Sequence, residues 1–181
     1  MQSWGGMQFL DQLFIVSADP SVLVLSNYNP LLVVMSLCIA VFTSGMALQL
    51  AGVARDSETA WWRQVTILTG SLALGAGVWA MHFLGMLAFQ LCAEVRFDLD
   101  VTLLSMLPSL AASWVALTVL ARRNLSLLQL CIGGVLVGAG IGAMHYSGMA
   151  AMQMAPLLRY DPWMVALSLV IAVGASISAL A

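Results

Sequence analysis

Apolar residues run along this chain in long unbroken stretches, and polar residues collect in the short gaps between them. Five stretches, residues 30–51, 65–91, 99–121, 127–153 and 162–181, are long and apolar enough to cross a bilayer. Lipid offers no partner for exposed backbone amides, so each stretch is expected to be a helix despite its many Val, Ile and Ser residues. The expected fold class is all-α, a polytopic transmembrane helical bundle. Residues 1–27 fall outside this pattern, because Asp11, Gln12, Asp19 and Pro20 interrupt them. They lack the basic start of a signal peptide. They are expected to form an external or interfacial segment, with a short helix around Gln8–Val16.

The pattern repeats. At an offset of 63, Gly75-Ala76-Gly77 matches Gly138-Ala139-Gly140, Ala80-Met81-His82 matches Ala143-Met144-His145, and Gly85-Met86 matches Gly148-Met149. The register continues past the loop, with Asp98 on Asp161 and Leu104-Ser105 on Leu167-Ser168. The first span joins the series at an offset of 69, Ser36 and Ser44 matching Ser105 and Ser113. Each odd span opens alike, with Tyr28-Asn29-Pro30, Phe97-Asp98-Leu99 and Tyr160-Asp161-Pro162. An interfacial aromatic precedes an Asn or Asp cap, and proline suits the first turn, where no amide donor is needed.

The unit of two spans gives expected repeats at 28–96 and 97–159, and a partial third at 160–181. Two crossings return the chain to the same side, so the repeats are parallel. His82 and His145 then lie at one depth, roughly 15 Å from the ends of their helices. The last span stops at Ala181 without a polar flank, so the chain is expected to be a fragment with something following it.

Composition supports a membrane protein and excludes other classes. Hydrophobic residues make up 62% and charged residues 8%, against about 25% charged in soluble domains. Six arginines, no lysine and eight acids leave no basic surface for nucleic acid. Arg55, Arg63, Arg122 and Arg123 lie in the loops on one side, and only Arg96 and Arg159 on the other. The positive-inside rule makes the first set cytoplasmic and the N-terminus external. Cys38, Cys92 and Cys131 form no CxxC and read as small apolar residues.

The chemistry concentrates at the histidines, of which the chain has two. His82 and Met86, four apart, share a helix face, which Phe89 extends. His145, Met149 and Met152 form the corresponding stripe, with Met81 and Met144 beside the two histidines. Imidazole and thioether donors suit copper, above all Cu(I), and no carboxylate lies near that depth for a hard cation. The bland alternative is methionine as core filler and histidine as an interhelical hydrogen-bonding group. The Gly-x-Gly pairs sit within spans and follow no strand, so they read as close-packing positions and not as nucleotide loops. Trp79 stands where the second copy has Gly142, so the packing is expected to be asymmetric there.

Met81-His82-Phe83-Leu84-Gly85-Met86 and Met144-His145-Tyr146-Ser147-Gly148-Met149, each within a two-span repeat, resemble the MHYT domain, a bacterial inner-membrane sensor module. The resemblance covers Tyr28 to Ala181. It implies copper bound near the outer face by His82, His145, Met81 and Met144, with Tyr146 in the motif's tyrosine position. Met86 and Met149 join as candidate ligands through their helix faces, and Tyr146 and Met152 as residues behind them. It also implies sensing of a diatomic gas (oxygen, carbon monoxide or nitric oxide) and a cytoplasmic output domain of the GGDEF or EAL type, which turns over cyclic di-GMP. Phe83 and Leu84, and Ser147 in the second copy, depart from the motif, so no hydroxyl is required in both copies.

The partners expected are the bilayer, the gas, the output domain and, as a further candidate, a second copy in a homodimer. No catalytic constellation occurs in the chain itself. Two alternatives remain at this stage, a haem or electron-transfer protein with axial His82 and His145, and a small parallel-repeat transporter.

Overall fold

The computed structural model describes residues 26–91, 96–153 and 161–181. The expected segment and short helix before Ser26, together with Cys92, Glu94, Arg159 and Tyr160, lie outside the described residues. Helix α1 spans Pro30–Asp56, α2 Ala60–Ala88, α3 Leu99–Leu104, α4 Met106–Leu120, α5 Leu127–Ala150 and α6 Pro162–Leu180. With α3 and α4 counted as one crossing, five helical spans among the described residues are long and apolar enough to cross a membrane. The bundle is nearly all helical, as the apolar pattern requires.

The caps form as expected. The side chains of Asn29 and Asp161 accept from the amides two residues ahead, and Asp98 accepts from Asp100 and Val101. Ser126 and Gln129 build a capping box at the start of α5.

Three features depart from the expectation. The loop between the first two apolar stretches is shorter than their bounds imply, because α1 runs on to Asp56 and α2 begins at Ala60. The even spans end as helices at Ala88 and Ala150 and continue as strands. Strand β1 (Ser26–Tyr28) pairs antiparallel with β2 (Phe89–Leu91), and β3 (Arg96–Phe97) with β4 (Met152–Gln153). The Asn29 amide donates to the Ala88 carbonyl at 2.8 Å, and the Asp98 amide to Ala151 at 2.9 Å. The chain before each odd span thus zips onto the end of the following even span, which satisfies backbone groups at the membrane boundary. Finally, the third span breaks at Ser105. Pro108 has no amide to give the Leu104 carbonyl, four residues earlier, and its ring crowds it.

Consecutive spans pack in sequence, and α2 also meets α5. The crossings of α1 and α6 are the least buried and flank the three inner ones. The same contacts recur at the repeat offset. A Cβ on Gly75 would sit 2.8 Å from the Leu110 Cα, and one on Gly138 2.8 Å from the Val173 Cα. Gly77 abuts Thr43, and Gly140 abuts Ala112. Each Gly-x-Gly pair therefore lets one even helix approach the odd span before it and the odd span after it. Leu117 and Leu180 occupy equivalent places in two apolar clusters toward the arginine end.

Candidate functional site

The repeat sets the two Met-His segments side by side on α2 and α5. The His82 and His145 rings lie 4.9 Å apart between centroids, inclined at 61°. His82 is half-buried and its Nε2 is buried with no hydrogen-bond partner among the described residues. His145 is more exposed.

Gly148 makes this approach possible. A Cβ there would lie 2.8 Å from His82 Nε2, whereas one on its counterpart Gly85 would meet nothing within 4 Å. The absence of a side chain at one of two matched glycines is thus what seats His82 against the second repeat. The sequence signals this only as a shared glycine and does not say which copy uses it.

The methionines divide by burial. Met144 is 2% exposed, while Met81, Met86 and Met149 are half-buried. Met152 does not continue the His145 stripe. It lies past the end of α5, in β4, opposite Phe97. Phe89 likewise leaves its helix and pairs with Tyr28 in β2. In both cases strand pairing replaces the last helical turn, because the lead-in segment of the same repeat's odd span offers the backbone a partner.

Around His82 the packing is aromatic. Phe83 lies 5.4 Å from it between centroids, and Phe83 in turn packs against Trp79 at 4.9 Å and Phe97 at 6.2 Å. Phe83 is therefore a core residue and has no hydroxyl to place.

The missing hydroxyl has a substitute. In the second copy, Tyr146 Oη and Ser168 Oγ share a 2.6 Å hydrogen bond from α5 to α6. At the equivalent point of the first copy, the indole Nε1 of Trp79 donates to Ser105 Oγ at 3.2 Å and to the Thr102 carbonyl at 3.1 Å. Ser105 and Ser168 match at the repeat offset, as do Phe83 and Tyr146, and Trp79 and Gly142. Each even span therefore anchors to the serine of the next odd span, by tryptophan in one copy and tyrosine in the other. The asymmetry expected at Trp79 is real, and it preserves a polar link.

Thr102 is a residue that sequence reading passed over. It is 9% exposed, and its Oγ1 is buried with no partner among the described residues, directly beside the Trp79 bond to its carbonyl. Among the described residues no three His, Cys, Asp or Glu side chains gather. Any metal held here would need thioether donors as well as the two imidazoles.

Comparison with known proteins agrees with this repeat architecture. The family model of the MHYT domain, described as a bacterial signalling protein N-terminal repeat, matches residues 19–62, 75–133 and 138–181. The bifunctional diguanylate cyclase/cyclic di-GMP phosphodiesterase MucR of Pseudomonas aeruginosa is 43% identical over 161 residues, covering 87% of this chain and 23% of that protein. The cyclic di-GMP phosphodiesterase NbdA of the same organism is 37% identical over 180 residues, covering 98% of this chain and 22% of that protein. Signaling protein YkoW of Bacillus subtilis is 31% identical over 150 residues, covering 83% and 18%. The chain thus spans about a fifth of the length of these relatives, and the family model that matches it describes a repeat and not a catalytic domain. No solved structure matches it. Five helices long and apolar enough to cross a membrane among the described residues, the duplicated Met-His segments and the three matches to the family model together make this chain a multi-pass membrane protein of the MHYT family.

Proposed function

We propose that the chain is the sensory input of a bacterial signalling protein that controls cyclic di-GMP turnover, and that His82 and His145 hold copper with thioethers drawn from Met81, Met144, Met86 and Met149. The observation that carries the reading is the Nε2 of His82, which has no hydrogen-bond partner among the described residues and is buried against a second imidazole. A buried nitrogen without a partner costs about 1–3 kcal/mol. Coordination would remove that penalty. Neutral imidazole and thioether together form a soft donor set that favours copper over magnesium or calcium. When bound, copper would supply an open coordination position for oxygen, carbon monoxide or nitric oxide.

The protein's own part is to transmit the change. His82 and His145 belong to different repeats, so their spacing reports the placement of α2 against α5. Trp79, three residues before His82, is bonded to the broken third span at Thr102 and Ser105. Tyr146, next to His145, is bonded to α6. A shift at the histidines therefore reaches two odd spans through hydrogen bonds. At the far end Arg55 bonds the Leu120 carbonyl, and Arg123 bonds the Arg55 carbonyl, which ties the first span to the third.

In this reading the arginine-bearing end faces the cytoplasm of a bacterial inner membrane and the N-terminus faces outward. Cyclic di-GMP activity, as named for MucR and NbdA, would belong to an output domain.

Copper content of the purified protein tests the centre. Wild type is expected to retain copper, and the His82→Ala/His145→Ala double variant to lose it. Copper absent from wild type, or kept by the double variant, would overturn the metal assignment. A Soret band in the visible spectrum would replace it with haem.

A further inference from the structure

A groove of about 230 Å³ lies between α4 and α5, at the arginine-bearing end and away from the histidines. Trp114 and Val119 on one helix and Ile132 and Leu136 on the other form its apolar walls. Gly133 lets the two helices come together beside it, since a Cβ there would lie 2.9 Å from Val119 Cγ2. Trp114 stands eight residues before Arg122, so the groove runs roughly 12 Å along the helix from its charged end into the bilayer.

Arg122 and Gln129 line that charged end. The neighbouring arginines are engaged, Arg55 with the Leu120 carbonyl, and Arg123 with the Arg55 carbonyl and Asp56. Arg122 makes no side-chain hydrogen bond or ion pair among the described residues, and its side chain is exposed. One end of the groove is therefore cationic and unneutralised, and the rest is hydrocarbon-like.

We propose that this groove binds an anionic glycerophospholipid of the leaflet on the arginine side. Arg122 and Gln129 hold the phosphate and headgroup, and the apolar walls hold one acyl chain. The charge argument selects an anionic lipid over a zwitterionic one. A zwitterionic headgroup carries its own cation and gives a lone guanidinium less to neutralise. Basic pockets between spans at the headgroup level are a general means of selecting anionic lipids. The site joins the third span to the fourth, so an occupied groove braces α4 against α5. It does not depend on metal binding at the histidines.

The test is lipid retention by the purified chain in micelles containing equal amounts of phosphatidylglycerol and phosphatidylcholine, counted by native mass spectrometry. Wild type is expected to retain phosphatidylglycerol preferentially. Arg122→Gln should reduce that preference about fivefold, in line with one basic residue near an anionic headgroup. Arg63→Gln, a charge on the same side that does not line the groove, should leave it unchanged, with circular dichroism confirming that both variants stay helical. Equal retention of the two lipids by wild type would overturn the proposal. So would full preference in Arg122→Gln, or an equal loss in Arg63→Gln.

Discussion

Gly148→Ala tests the seating of His82 most directly. The added methyl would stand 2.8 Å from His82 Nε2, 3.2 Å from its Cδ2 and 3.4 Å from Phe83 Cζ. The imidazole would have to retreat by about 0.6 Å to restore ordinary contact, and Phe83 and His145 pack against it. Overpacking of this kind costs about 1–3 kcal/mol. Replacing glycine by alanine in a helix returns about 0.5–1 kcal/mol. The expected net effect is destabilisation by up to about 2.5 kcal/mol.

Gly85→Ala is the matched control. It sits at the same place in the first repeat and its methyl would meet nothing within 4 Å. It should be neutral, or more stable by up to about 1 kcal/mol. Equilibrium unfolding of both variants in one detergent, followed by circular dichroism, gives the difference. Equal stability of the two would refute the claim that Gly148 alone admits His82. A displacement on the scale of 0.6 Å also exceeds the roughly 0.5 Å within which a binding constellation must be held. Any copper bound at the histidines should therefore be weakened by Gly148→Ala and spared by Gly85→Ala.

Two further outcomes follow from the polar links. Tyr146→Phe and Ser168→Ala should each destabilise by about 0.6 kcal/mol and at most about 1.7 kcal/mol, as interhelical bonds in membranes do; a double-mutant cycle by the same unfolding assay should show that the two losses do not add, and full additivity would mean that the bond contributes nothing. Thr102→Val replaces a buried hydroxyl that has no partner among the described residues with a methyl and should raise stability by about 1 kcal/mol; a loss measured in the same assay would show that the hydroxyl has a partner in the folded protein.

The sequence by itself determined the spans, the caps and the repeat. A bilayer forces any sufficiently long apolar stretch into a helix, so the positions of Asn29, Asp98 and Asp161 were enough to locate the starts of the odd spans. The offset between Met81-His82 and Met144-His145 was enough to place both histidines at one depth, because parallel two-span units preserve depth. Which faces meet was a different question. These helices are apolar nearly all round, and no amphipathic stripe marks the side that turns inward.

Only the tertiary structure decided that Gly148, and not Gly85, admits a histidine, and that Trp79 takes over the link Tyr146 makes in the other copy. The ends of the even helices were also a tertiary matter. Residues 89–91 and 152–153 carry no helix-breaking residue that would end the helices before them, and they become strands because a lead-in segment pairs with their backbone. Met152 left the histidine stripe for that reason. Depth in the membrane was written in hydropathy and repeat spacing. The contacts that make the pair of histidines a site depended on which backbone could come close enough, and that is a property of the packed bundle.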